Sequence, residues 1–186
     1  MLNSRLANIV RRTDFLQEVF QKAEEEFSHY YIGAGCITQT VWNELSGSPQ
    51  GYGIGDIDIV YHDSSDLSGE KEKACELKLR EALHDLPFSI DVTNEARVHL
   101  WYEEKFGKEI KPYQTVEHAI DTWPTTASAV GVKRISGQYT IYAPYGLQDL
   151  FDMVVQPNKK LITRQVYESK ALKWRQRWPM LTIVTW

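Results

Sequence analysis

Apolar positions recur at helical spacing from Asp14 to Phe27, where Leu16, Val19, Phe20, Ala23 and Phe27 share one face. Asp14 with Gln17 three residues later resembles a capping box. Residues 29–33 read as a short buried strand. A helix is expected from about 36 to 46, with Ile37, Val41 and Leu45 inward. The stretch 46–55 holds four glycines and a proline and is expected to be a loop. Strict alternation then marks 56–62 as a second strand. A charged helix is expected at about 69–84, with Ala74, Leu77, Ala82 and Leu83 facing in. Residues 88–92 read as a third strand.

The second half is less regular. Residues 95–106 lean toward helix, and 115–123 read as a short helix stopped by Pro124. Residues 132–135 and 139–142 form a hairpin around Ser136-Gly137. A helix over 147–155 should end before Pro157. A last helix, about 163–178, carries a stripe of Tyr167, Ala171, Trp174 and Trp178, read as core. The sum is an α+β chain: a short mixed β-sheet with packed helices and a C-terminal helical extension. It reads as one domain, with N-terminal helices over 1–28, an α/β core over 29–156 and a basic helix over 157–186. A length of 186 residues fits that reading.

Charge changes the picture in one place. The net charge is −4, yet residues 156–186 hold seven Lys or Arg against one acid, Glu168, which leaves about −10 for the remainder. An acidic body gives no strong signal for duplex nucleic acid. The basic segment reads first as a solvated face complementing that body, and leaves an anionic partner open. No stretch has the apolar length of a membrane span, and the first eleven residues lack a signal-peptide core. Cys36 and Cys75 make neither a disulfide framework nor a zinc site, so a reducing cytoplasm is the expected location.

The candidate chemistry lies in Gly55-Asp56-Ile57-Asp58-Ile59-Val60-Tyr61. On a strand, Asp56 and Asp58 point to one face while Ile57 and Ile59 point to the other. Adjacent carboxylates repel each other unless a cation sits between them, and hard oxygen ligands suit Mg²⁺ beside substrate phosphates. Asp91, alone between Ile90 and Val92, is the natural third carboxylate; the alternative is an Asp at a strand edge facing water. Asp56 could also simply cap the loop after Gly55. Upstream, Gly33-Ala34-Gly35 joins a strand to a helix whose N-terminus favours an anion, and Thr38 adds a hydroxyl on the first turn. Tight strand–helix packing would also explain the glycines. Neither a dinucleotide fingerprint nor a P-loop is present. Metal-assisted nucleotidyl transfer fits these parts: charge builds on the entering and leaving oxygens, and two ions about 3.5–4 Å apart stabilise both.

A strand, a Gly-rich turn into a helix and Asp-x-Asp on the next strand resemble the polymerase-β-like nucleotidyltransferase superfamily. The third carboxylate of that superfamily lies on a neighbouring strand, matching Asp91. More closely, the chain resembles a bacterial nucleotidyltransferase-like family formerly carried as a domain of unknown function. The matching segments run from Gly33-Ala34-Gly35-Cys36 with Val41-Trp42, through Asp56-Ile57-Asp58 and residues 94–101, to residues 123–132, 143–151 and Arg177-Trp178-Pro179. The resemblance implies that Asp56, Asp58 and Asp91 bind two Mg²⁺ and that the glycine turn contacts a nucleoside triphosphate. It implies transfer of a nucleoside monophosphate to a hydroxyl acceptor, which the sequence does not identify. The family often carries Arg-Asn at Thr38-Gln39 and Lys-Asn-Gln at Thr93-Asn94-Glu95. That departure motivates the alternative, a non-catalytic nucleotide-binding or regulatory module on the same fold. The gap between Gly35 and Asp56 is also longer than in many superfamily members.

Other residues carry two readings each. Arg97 suits a phosphate clamp or a salt bridge to Glu95 or Asp91. His99 reads as a hydrogen-bonded structural histidine rather than a proton relay. Thr125, Thr126 and Ser128 read as local caps, Asp149 as a first-turn carboxylate, and Cys36 as a packing residue.

Overall fold

The computed structural model describes all 186 residues. Two helices, α1 (Leu2–Arg11) and α2 (Asp14–Glu26), precede a strand β1 (Tyr30–Gly33) and helix α3 (Ala34–Ser46). Strand β2 (Asp56–Tyr61), helix α4 (Glu70–Ala82) and strand β3 (Ser89–Asn94) follow. A 3-10 turn (Glu95–Leu100) leads into the short helices α5 (Tyr102–Phe106) and α6 (Val116–Ile120). The hairpin β4 (Gly131–Ile135) and β5 (Gln138–Tyr142) comes next, then α7 (Gln148–Phe151), β6 (Val154–Val155), α8 (Arg164–Arg177) and β7 (Thr182–Ile183).

The main sheet is mixed, in the order β3-β2-β1-β4-β5. Only β2 and β3 run parallel, as the α4 crossover between them requires. Period-two alternation sorts the faces: Ile32, Ile57, Ile59, Ile90 and Val92 sink into the main core with α1 to α4 and α8. Tyr31 and Val60 point the other way, under Val116 and Ile120 of α6. The hairpin turns through Ser136 (φ 50°) and Gly137 (φ 76°), both left-handed as a two-residue turn with this twist demands.

Three expectations are corrected. Thr13, not Asp14, precedes α2, and no side chain caps it; Gln17 instead donates to the Val10 carbonyl (2.8 Å). On α4 the buried positions are Cys75, Leu79 and Leu83, while Leu77 is exposed and so are Ala74 and Ala82. Positions four apart make the inner face, and the flanking apolar residues fall off it. The helix expected over 147–155 stops at Phe151, and Met153 adopts φ 57° before β6. A left-handed residue cannot continue a right-handed helix. The stripe of Tyr167, Ala171, Trp174 and Trp178 on the C-terminal helix is buried as expected, and it fixes α8 across the α/β core. Trp42 of α3 meets Trp174 and Trp178 edge-on at 5.1 and 5.6 Å. Trp178 Nε1 donates to Asn43 (3.0 Å), and its ring covers Gly53, where a Cβ would lie 2.6 Å from it.

Candidate active site

Register brings the carboxylates together. Asp58 pairs with Gly33 across β1–β2 and with Asp91 across β2–β3. One oxygen from each of Asp56, Asp58 and Asp91 lies within 4.8 Å of the other two. Asp56 is exposed, and Asp58 and Asp91 are partly buried. Asp56 is therefore a strand residue, not merely a loop cap. Asp91 accepts from Arg80 (3.0 Å) and from Ser89 (3.2 Å), and Arg80 is itself fixed on the Ile90 carbonyl (2.7 Å).

The carboxylates are short of positive charge. Burial raises Asp58 from an ordinary 3.8 to about 7, with Asp56 and Asp91 adding to the rise and Lys170 opposing it. A cluster of hard oxygen donors with uncompensated charge fits one or more divalent cations.

The glycine turn is shaped by packing as well as by access. Gly33 lies under Trp123, and a Cβ there would sit 2.6 Å from both the indole and the Val130 carbonyl. Ala34 takes φ 51°, and its N–H is spent on Val130 (3.2 Å). Gly35 opens onto the site beneath the Gln39 amide. The buried Gln39 Oε1 has no partner. Gly35, on the first turn of α3, lines the same cleft as Asp56 and Asp58.

Two residues expected at the site are elsewhere engaged. Thr38 is fully buried, and its hydroxyl donates to the Ala34 carbonyl (2.7 Å); it cannot reach a phosphate in the cleft. Arg97 pairs with Glu72 and donates to the Leu67 carbonyl (3.1 Å), tying the 3-10 turn to the segment before α4. It is neither a clamp at the carboxylates nor a partner of Glu95 or Asp91. His99 lacks the expected hydrogen bond, since its buried Nδ1 has no partner. Thr125 and Ser128 bond each other (2.8 Å), and Thr126 bonds Asp149, so these hydroxyls serve local structure. Cys36 and Cys75 are buried, free thiols.

The structure adds residues that sequence reasoning passed over. A cleft of about 880 Å³ has Gly35, Gln39, Asp56 and Asp58 on one wall and Lys170, Lys173 and Arg177 of α8 on the other. Burial pulls the Lys170 ammonium down, while Asp58 and Asp56 hold it up. A second, more apolar cavity of about 660 Å³ meets this cleft at Asp58, Gln165, Val166 and Lys170. Glu95 lines it, buried. Burial, then Asp58 and Glu72, raises the Glu95 carboxyl to about 8. One sequence signal was available for Glu95, an acid followed by the apolar Ala96 and Val98. None was available for Lys170, whose role depends on where α8 docks.

A family model described as nucleotidyltransferase matches residues 22–183. No curated protein matches the sequence. Among solved structures, an NMR structure described as revealing a CCA-adding enzyme head domain superposes with a TM-score of 0.78 at 21% identity. The match covers 98% of this chain and 96% of that one, and shows a shared fold. No helix is long and apolar enough to cross a membrane.

Proposed function

The chain belongs to the nucleotidyltransferase family, and on that premise we propose that it is a Mg²⁺-dependent enzyme, one functional unit, moving a nucleoside monophosphate from an NTP to a hydroxyl acceptor. One observation carries this reading: of three carboxylates with oxygens within 4.8 Å, Asp56 and Asp58 line a cleft whose far wall is Lys170, Lys173 and Arg177. A polyanion bridged to carboxylates by divalent cations fits between those walls.

Asp56, Asp58 and Asp91 would hold the cations, which when bound neutralise charge on the α-phosphate and its entering and leaving oxygens. Lys170, Lys173 and Arg177 receive the β- and γ-phosphates as charge-assisted donors. Gly35 and the start of α3 let the triphosphate approach the backbone. Asp91, partly open to solvent, takes the proton from the acceptor hydroxyl. The new bond joins the acceptor oxygen to the α-phosphorus, the α–β bridging P–O bond breaks, and pyrophosphate leaves.

The non-catalytic alternative arose from the missing basic residues near the glycine turn. Three basic side chains on α8 supply that charge from another direction, which favours catalysis. The test is pyrophosphate release from each NTP with Mg²⁺, against RNA, protein and small-hydroxyl acceptor pools. Release by wild type that Asp58→Asn abolishes supports transfer. Nucleotide binding with no release in any pool would move the protein to the regulatory class.

A further inference from the structure

The apolar cavity beside the carboxylates is walled by Trp101, Tyr102, Tyr113 and Trp123. Flat aromatic walls suit a flat, polarisable ligand. Its volume, about 660 Å³, lies in the range of small-ligand sites, about 300–1,000 Å³. It joins the polar cleft at Asp58, where the α-phosphate would sit. Asp91, which would receive the acceptor's proton, lines neither cavity and is partly open to solvent. The acceptor therefore comes from the Asp91 side, and the aromatic cavity is left for the nucleoside.

One buried polar side chain lines that cavity. Glu95 is 5% exposed, and no backbone or side-chain group of the protein donates to its carboxyl. A buried carboxyl without a donor is costly, and a ligand N–H repairs the deficit. Either protonation state leaves a carboxyl oxygen able to accept. Building on the transferase reading, we propose that this cavity is the nucleobase subsite, and that Glu95 accepts from the base's exocyclic amino group. Cytosine and adenine supply that donor; uracil and hypoxanthine present an oxo group at the same position, which sets acceptor against acceptor when the carboxyl is ionised, whereas the protonated form could donate to it.

Two nucleotide pairs isolate the single group: CTP against UTP, and ATP against ITP. Their affinities are measured by calorimetry at pH 9, above the Glu95 value of about 8, with Mg²⁺ for wild type, Glu95→Gln and Asp58→Asn, and with inorganic tripolyphosphate as a probe of the polar cleft alone. The amino member of at least one pair should bind wild type about tenfold tighter or more, the scale of a lost buried hydrogen bond. A Gln amide offers both a donor and an acceptor, so Glu95→Gln should bring both pairs within about twofold while leaving tripolyphosphate unchanged. Trp101→Ala should weaken all nucleotides but not tripolyphosphate, which keeps the subsite testable if Glu95→Gln misfolds. Equal affinities within both pairs, unmoved by Glu95→Gln, with binding still lost in Asp58→Asn, would overturn the base subsite and leave the transferase reading standing. No binding of any triphosphate or of tripolyphosphate would overturn both.

Discussion

Asp58→Asn should make the metal-free protein more stable, although it removes the residue at the centre of the site. Asp58 titrates at 3.8 in an ordinary setting and at about 7 here. The folded protein therefore holds a proton that the unfolded chain releases between those values. Where the folded state binds more protons, stability falls as pH rises. The penalty is absent below about pH 4 and complete above about pH 7. Fully expressed, a rise of that size corresponds to about 4 kcal/mol, at about 1.4 kcal/mol per tenfold change. Water in the open cleft screens the repulsion, so about 1–2 kcal/mol is expected. Asn keeps the shape and removes the charge. Urea unfolding with EDTA should show Asp58→Asn more stable than wild type by that amount at pH 8, and within about 0.5 kcal/mol at pH 4. Saturating Mg²⁺ should then stabilise wild type, by about 2.7 kcal/mol at a hundredfold excess over its Kd, and leave the variant unmoved. A variant equally or less stable at pH 8, with a pH-independent difference, would refute the claim that burial, with Asp56 and Asp91 adding to it, penalises an ionised Asp58 in the free protein.

Three further outcomes follow from the packing around the site. Gly33→Ala forces a Cβ to 2.6 Å from Trp123 and the Val130 carbonyl; a loss of about 1–3 kcal/mol is expected in thermal unfolding. Lys170→Met keeps an unbranched apolar stem but removes the ammonium, which lies 5.0 Å from the centre of the Trp174 ring and is held charged by Asp58 and Asp56. It should weaken Mg·NTP about tenfold while leaving monophosphate affinity within about twofold, a contrast read by calorimetry at low and high salt. Trp178→Ala removes a buried ring and its bond to Asn43; about 3–5 kcal/mol should be lost, and triphosphate affinity should fall with it as α8 loosens over the cleft.

The sheet and the carboxylates were legible because both follow a period of two. Asp56-Ile57-Asp58-Ile59 and Ile90-Asp91-Val92 each announce a buried face and a polar face, and pairing of neighbouring strands completes the triad. The hairpin was legible from Ser136-Gly137, whose turn needs left-handed residues. Helix faces were harder. On α4, charged residues fill most positions, so the inward row of Cys75, Leu79 and Leu83 competed with equally apolar neighbours. Thr38 looked available because it follows the glycine turn, yet two carbonyls, those of Ala34 and Ala127, claim its hydroxyl. The far wall of the cleft was hidden for a different reason. Lys170 lies 112 positions beyond Asp58, and only the docking of Trp174 and Trp178 against Trp42 brings the two together.

The most direct test of the carboxylate site is Mn²⁺ electron paramagnetic resonance, counting ions bound per chain with a non-hydrolysable NTP. The expected result is nucleotide-dependent binding of two ions by wild type, lost in Asp58→Asn with the fold intact by circular dichroism. Ions bound equally by wild type and Asp58→Asn, or none bound at millimolar Mn²⁺ and nucleotide, would contradict a metal–nucleotide site at Asp56, Asp58 and Asp91.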